Sequence, residues 1–209
     1  MRTAPFTGAV MAGGASRRMG RDKALLSLDG EPLWLRQARV LREAGAITVG
    51  VVRQREQTPL AVPTGIALWH DAVGGAGPLA GLQAALGAGE TERVAVLAVD
   101  MPRIDAGWFR WLLGFCAPGG GALARHLNGG YEPLAAIYPC AALAEVTRRL
   151  TTGGERSLQS LVDRLIGDGL MTSVPLPPDD AWRVANWNTS AEVEAAGYGS
   201  KPTSSISAS

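Results

Sequence analysis

Between Thr7 and Ala98 the chain alternates short apolar runs with stretches of helical period, and this alternation most restricts what it can fold into. Strand-length runs separated by amphipathic helices call for a mostly parallel sheet covered on both faces, an α/β architecture of three layers. Residues 8–11, 47–52, 66–69 and 94–99 read as buried strands. Trp34, Ala38 and Leu41 share one helix face that ends at Gly45, and Leu79, Leu82 and Leu86 share another behind Pro78 at a first helical position. Helical spacing returns in Trp108, Trp111, Leu112 and Phe115, in Leu143, Val146 and Leu150, and in Leu158, Leu161, Val162 and Leu165. Asn128-Gly129-Gly130 marks a turn, residues 134–138 a strand and residues 174–178 a proline-rich stretch. Without a repeat or a compositional break, residues 1–198 read as a single domain, and the polar stretch 199–209 as a disordered tail.

Composition removes several classes of function. Two cysteines, Cys116 and Cys140, make neither a disulfide framework nor a four-ligand zinc site, which fits a reducing cytoplasm. Lys plus Arg total 20 against 19 for Asp plus Glu, so a net charge of +1 draws the protein to neither nucleic acid nor an anionic membrane. No apolar run approaches the ~20 residues that span a bilayer, and the start lacks a signal peptide's apolar core. His70 and His126 are the only histidines, and no pattern links either to a nucleophilic serine.

Against that neutral background, residues 11–23 stand out. Directly after the first strand, Gly13 and Gly14 let successive N–H groups turn toward one point, and Arg17, Arg18, Arg21 and Lys23 gather positive charge around it. Such a loop suits a polyphosphate, because hydrogen bonds to a charged partner contribute about 1.5–3 kcal/mol each. It lacks the Gly-Lys-Ser/Thr ending of a Walker P-loop, so a magnesium ligand must come from elsewhere. Asp100, between the fourth apolar run and the turn Met101-Pro102, is the candidate. Asp71 follows the third strand and precedes a glycine segment opening a helix. In that segment Gly75-Ala76-Gly77-Pro78-Leu79-Ala80 also matches the dinucleotide fingerprint, but the residues between Asp71 and Gly74 separate it from its strand.

The segment from Ala12 to Lys23, read as Ala-Gly-Gly-x-Ser-x-Arg-Met-Gly-x-Asp-Lys, resembles the signature of nucleotidyltransferases of the molybdenum cofactor guanylyltransferase family. Gly77-Pro78-Leu79-Ala80-Gly81, Asp100-Met101-Pro102, Glu132-Pro133-Leu134 and Asn186-Trp187-Asn188-Thr189 resemble further family elements, in family order. The resemblance implies a Rossmann-like nucleotidyltransferase fold and transfer of GMP from GTP to molybdenum-bearing molybdopterin, with Mg2+ as cofactor. It further implies that Met11, Ala12, Gly13, Gly14, Arg18 and Lys23 serve the nucleotide and its phosphates, Asp71 the nucleoside, and Asp100 the metal. Gly77, Pro78 and Gly81 would shape the base pocket, while Arg156, Asn186 and Asn188 would face the pterin phosphate. Arg18, Lys23 and Asp100 would be the catalytic residues, and a molybdoenzyme or its chaperone would take the product. Two departures stand out: residues 49–54 lack the asparagine that relatives often carry there for the nucleoside, and Val99 replaces a frequent cysteine. A cytidylyltransferase, a sugar-nucleotide transferase and a non-catalytic nucleotide-binding protein remain as alternatives.

Overall fold

The computed structural model describes residues 4–13, 22–71 and 77–187. Gly14, Arg18, Asn188 and the tail 199–209 lie outside the described residues. In chain order the strands are β1 (Thr7–Met11), β2 (Ser27–Leu28), β3 (Glu31–Pro32), β4 (Thr48–Arg53), β5 (Ile66–His70), β6 (Arg93–Ala98), β7 (Gly121–Arg125), β8 (Ala135–Pro139) and β9 (Met171–Pro175). The α-helices among the described residues are α1 (Leu33–Glu43), α2 (Pro78–Ala88), α3 (Ala106–Leu113), α4 (Ala142–Thr151) and α5 (Leu158–Gly167).

Seven strands form one sheet in the order β5-β4-β1-β6-β8-β7-β9, with β2 and β3 as a separate short hairpin. β5, β4, β1 and β6 run parallel, and β8 is inserted antiparallel between β6 and β7. Alternate side chains of each central strand enter opposite cores, as the two-residue period of a strand requires. Val10, Val49, Val51, Ala95 and Leu97 pack with α1 and α3 on one face, while Ala9, Met11, Val94 and Val96 pack with α2, α4 and α5 on the other. Because both faces are covered, β1 and β6 read as unbroken apolar runs. The three-layer, mostly parallel architecture expected from the periodicity is the one observed.

Helix ends follow their local chemistry. Gly45, at φ +107°, takes the left-handed conformation that closes α1, and Pro78 opens α2 where its missing N–H costs nothing. The Asp105 side chain caps α3 at Trp108 N, and that of Ser157 caps α5 at Ser160 N.

Four features depart from the sequence reading. β5 is an edge strand with alternating exposure rather than a buried one. α3 stops at Leu113, leaving Phe115 45% exposed beyond its end instead of on the core face. β7 carries little strand signal, because Gly-Ala-Leu-Ala-Arg is short and weak in β-formers. β9 overlaps what reads as a proline-rich stretch and runs to Pro175 at the far edge of the sheet, where no further ladder needs that residue's N–H.

From β1 the chain moves to one side through α1 into β4 and β5, then returns through α2 to β6 on the other side. The reversal lies between β1 and β6, and open α/β sheets bind ligands at the carboxyl ends of the strands flanking such a point. Helix α1 fixes the turn that follows β6. Gln37, fully buried, donates from Nε2 to the carbonyls of Ala98 (3.2 Å) and Met101 (2.8 Å), and Arg36 Nε donates to the Pro102 carbonyl at 3.1 Å. Asp100 sits inside this clamp. Replacing Gln37 by Leu removes two buried hydrogen bonds and leaves the Ala98 and Met101 carbonyls with only the N–H groups of Met101 (3.4 Å) and Ile104 (3.2 Å), so urea unfolding of Gln37→Leu is expected to show a loss of about 1–3 kcal/mol. A stability equal to wild type would mean that the turn holds itself.

Candidate active site

The cleft at the switch point has a volume of about 220 Å³ and is walled by Met11, Ala12 and Gly13 after β1, Val99 and Asp100 after β6, Asp22 and Lys23, and Pro78 at the start of α2. Backbone pairing continues past the strand ends: Ala12 N donates to Val52 O at 3.0 Å and Val99 N to Met11 O at 3.3 Å. The glycine turn and the metal-ligand candidate therefore leave adjacent strands side by side.

Lys23 begins a single 3-10 turn (Lys23–Leu25) whose N-cap is Asp22, with Asp22 Oδ1 accepting from Ala24 N at 3.0 Å. This turn aims the lysine across the cleft, where its Nζ lies 3.6 Å from Asp100 Oδ2 and donates to the Trp187 carbonyl at 3.2 Å. Trp187 N in turn donates to Asp100 O at 2.8 Å. Trp187 is buried against Leu28 and Leu33, and the Arg103 guanidinium lies 5.7 Å from its ring centroid. With side chains 20% and 28% exposed, the Lys23–Asp100 pair adds only about 0–1 kcal/mol to stability. Its significance is positional: one cation and one carboxylate are kept at the same opening.

The other expected residues divide into several groups. Gly77 (φ +66°) and Pro78 stand exposed at the mouth, and a side chain on Gly77 would meet open space. Gly81 is buried beneath the wall, and a Cβ there would come within 2.6 Å of Met11 Cε, so it shapes the cleft by letting Met11 lie against α2. Asp71, buried just past β5, pairs its N–H with Arg53 O at 3.1 Å and shares the strand-end edge with Gly13. Burial raises its carboxyl pKa, reinforced by Glu56 and opposed by His70. Asn186 is exposed next to Trp187, whose carbonyl accepts from Lys23, and Arg156 is exposed in the connection from α4 to α5; neither lines the cleft.

Sequence reading missed Gln37 and Arg53, which act through backbone or through Asp22, and assigned no role to Trp187. Glu132, noted only as part of a family element, is also near the site. It is buried in the β7–β8 connection, with Oε2 3.2 Å from His126 Nε2. Loss of hydration pushes its carboxyl up to about 6; His126 opposes the shift, and the charge of Asp100 adds to it.

As to metal, Asp100 offers one part-exposed carboxylate in a cleft with room for a further ligand, and among the described residues no three His, Cys, Asp or Glu side chains gather. That donor set suits Mg2+, which is usually bound by one or two carboxylates together with substrate phosphates and waters.

The model of the MobA-like NTP transferase domain matches residues 8–167. A probable molybdenum cofactor guanylyltransferase of Opitutus terrae is 55% identical over 88% of this chain and 90% of its own, and one of Deinococcus radiodurans is 36% identical over 73% and 77%. In fold, the chain is similar to the crystal structure of molybdopterin-guanine dinucleotide biosynthesis protein A from Archaeoglobus fulgidus, with a TM-score of 0.69 at 23% identity over 91% of this chain and 96% of that one. A covered α/β sheet with a glycine turn and a lysine–acid pair at its switch point is here a nucleotidyltransferase. The chain belongs to the MobA-like NTP transferase family. Among the described residues, no helix is long and apolar enough to cross a membrane.

Glu132 carries a pH prediction. Its folded pKa of about 6 exceeds the ordinary 4.5, so its contribution to stability is fullest below pH 4.5 and is lost as pH rises through 6. Glu132→Gln removes that dependence, and in urea unfolding across pH 4.5–7 the stability of the variant relative to wild type is expected to rise by roughly 1–2 kcal/mol. Parallel pH profiles for the two proteins would show that Glu132 does not titrate in this range.

Proposed function

We propose that the cleft transfers GMP from GTP to the phosphate of molybdenum-bearing molybdopterin, releasing pyrophosphate and forming molybdopterin guanine dinucleotide. The observation that carries this reading is the 3.6 Å approach of Lys23 to Asp100 at the switch point, on a chain 55% identical to a relative bearing the guanylyltransferase name.

The acceptor phosphate is already a nucleophile, so the chemistry needs neither a covalent intermediate nor a strong base. The protein's work is alignment and charge neutralisation. Gly13, with Gly14 and Arg18 of the same motif, would cradle the triphosphate, while Lys23 compensates the charge that grows on the departing pyrophosphate. Asp100 would hold Mg2+, which when bound neutralises phosphate oxygens and favours one orientation of the reacting phosphorus. Met11, Ala12 and Pro78 form a wall for the nucleoside, with Asp71 further along the same edge. Asn186, and Asn188 beyond it, would meet the second substrate at the rim near Trp187, and Arg156 would reach it only from the α4–α5 connection. A molybdoenzyme or its chaperone would then receive the product.

Pyrophosphate release in the presence of molybdopterin and Mg2+ is the direct test. Asp100→Asn and Lys23→Met are each expected to lower kcat/KM by about 100-fold or more, near the cost of removing one preorganised charge-stabilising group. Activity of both variants close to wild type would refute the assignment. GTP with Mg2+ is expected to raise the unfolding temperature more than CTP, ATP or UTP at equal concentration. A larger shift with CTP would move the protein to cytidylyl transfer, and binding without pyrophosphate release would mark a carrier.

A further inference from the structure

The cleft has a second carboxylate, Asp22, on a wall that the proposed function offers to a polyphosphate. An uncompensated acid there would repel the ligand. Arg53, the last residue of β4, lies behind it with a side chain only 2% exposed. One guanidinium nitrogen, Nη2, donates both to Asp22 Oδ2, at 2.5 Å, and to the Thr58 carbonyl at 2.8 Å. Its Nη1 is buried and has no hydrogen-bond partner among the described residues. The Arg53 main chain also runs beside Gly13, where an added Cβ would stand 3.8 Å from Arg53 Cα and 3.7 Å from Gln54 N.

The other oxygen of Asp22 caps the turn that begins with Lys23. Arg53 thus does two things to the cleft without facing the substrate: it cancels the charge of Asp22, and it fixes the carboxylate from which Lys23 is directed toward Asp100. A buried donor left unmade is unusual, and Nη1 retains hydrogen-bonding capacity on the residue that backs the cleft.

We propose that Arg53 is a positioning residue for polyphosphate binding, acting by neutralising and orienting Asp22. This rests on the reading that the cleft takes a nucleoside triphosphate. The test is a double-mutant cycle with Arg53→Met, Asp22→Asn and the two combined, read by calorimetric titration with inorganic tripolyphosphate and with GTP, both with Mg2+. Arg53→Met is expected to weaken both ligands by about 10- to 30-fold at low salt and less at high salt, raising KM for GTP more than it lowers kcat. Adding Asp22→Asn is expected to restore affinity to within about 3-fold of wild type, because the unpaired charge is gone.

A double variant that binds no better than Arg53→Met overturns the proposal, and so does an Arg53→Met protein that binds like wild type. If Arg53→Met fails to fold, Arg53→Lys serves, since it keeps the charge without the planar fork. Affinity within about 5-fold of wild type supports charge compensation, and a loss beyond 10-fold overturns it. Wild type that binds neither tripolyphosphate nor GTP removes the nucleotide reading itself, whereas wild type that binds, with losses in the cycle that simply add, removes only the role of Arg53.

Discussion

The site depends on β1 and β6 being parallel neighbours. Their pairing brings Thr7 opposite Val94 and Met11 opposite Ala98, and one further hydrogen bond, Val99 N to Met11 O, extends it into the loops. Two segments almost ninety residues apart thereby leave the sheet at one level and diverge around the same opening. The pair is held by burial on both sides: Val10, Ala95 and Leu97 face one helical layer, and Ala9, Val94 and Val96 the other. Slipping either strand by one residue would exchange those faces and separate Gly13 from Asp100, so the apolar pattern that stabilises the sheet also sets the register of the chemistry.

Around that pair, neighbouring elements limit how the functional side chains can move. Gln37 and Arg36 on α1 hold the carbonyls on either side of Asp100, Asp22 caps the turn of Lys23, and Trp187 brings the later part of the chain back onto both. These contacts go largely to backbone atoms. A carboxylate held by its main chain keeps its side chain available to a metal or a cation, whereas one fixed through its own oxygens does not. Asp22, bonded through both oxygens, has a supporting role for the same reason.

Legibility in the sequence follows the same physics. β1, β4 and β6 are plain in the sequence because strands covered on both faces need apolar side chains at nearly every position. β7 and β9 are not: a glycine and an arginine in one and an irregular burial pattern in the other leave little periodic signal. Gly121 is required by its neighbours, since a Cβ there would collide with the carbonyl of Ile137, and such a demand exists only once β8 is in place. Lys23 and Asp100 were legible because charge concentrated after a buried strand is costly without a purpose. Gln37 and Arg53 were not, because a glutamine within an amphipathic helix and an arginine after a strand look like surface residues until tertiary contacts bury them.

A chain with a near-neutral overall charge can still bind a highly charged ligand if its fixed charges are arranged to oppose one another until the ligand arrives. In the structure Lys23 lies near Asp100, and Asp22 is joined to Arg53. The first pair is loose and partly hydrated, the second tight and buried, and a phosphate chain with its metal can rearrange only the loose one at small cost. On the proposed reading, Lys23 would turn from Asp100 to the phosphates as substrate binds, whereas Arg53 has no comparable exchange and keeps Asp22 neutralised. The strengths of the two pairs therefore suit different work, one exchanging partners as substrate binds and the other holding the wall against which that exchange takes place.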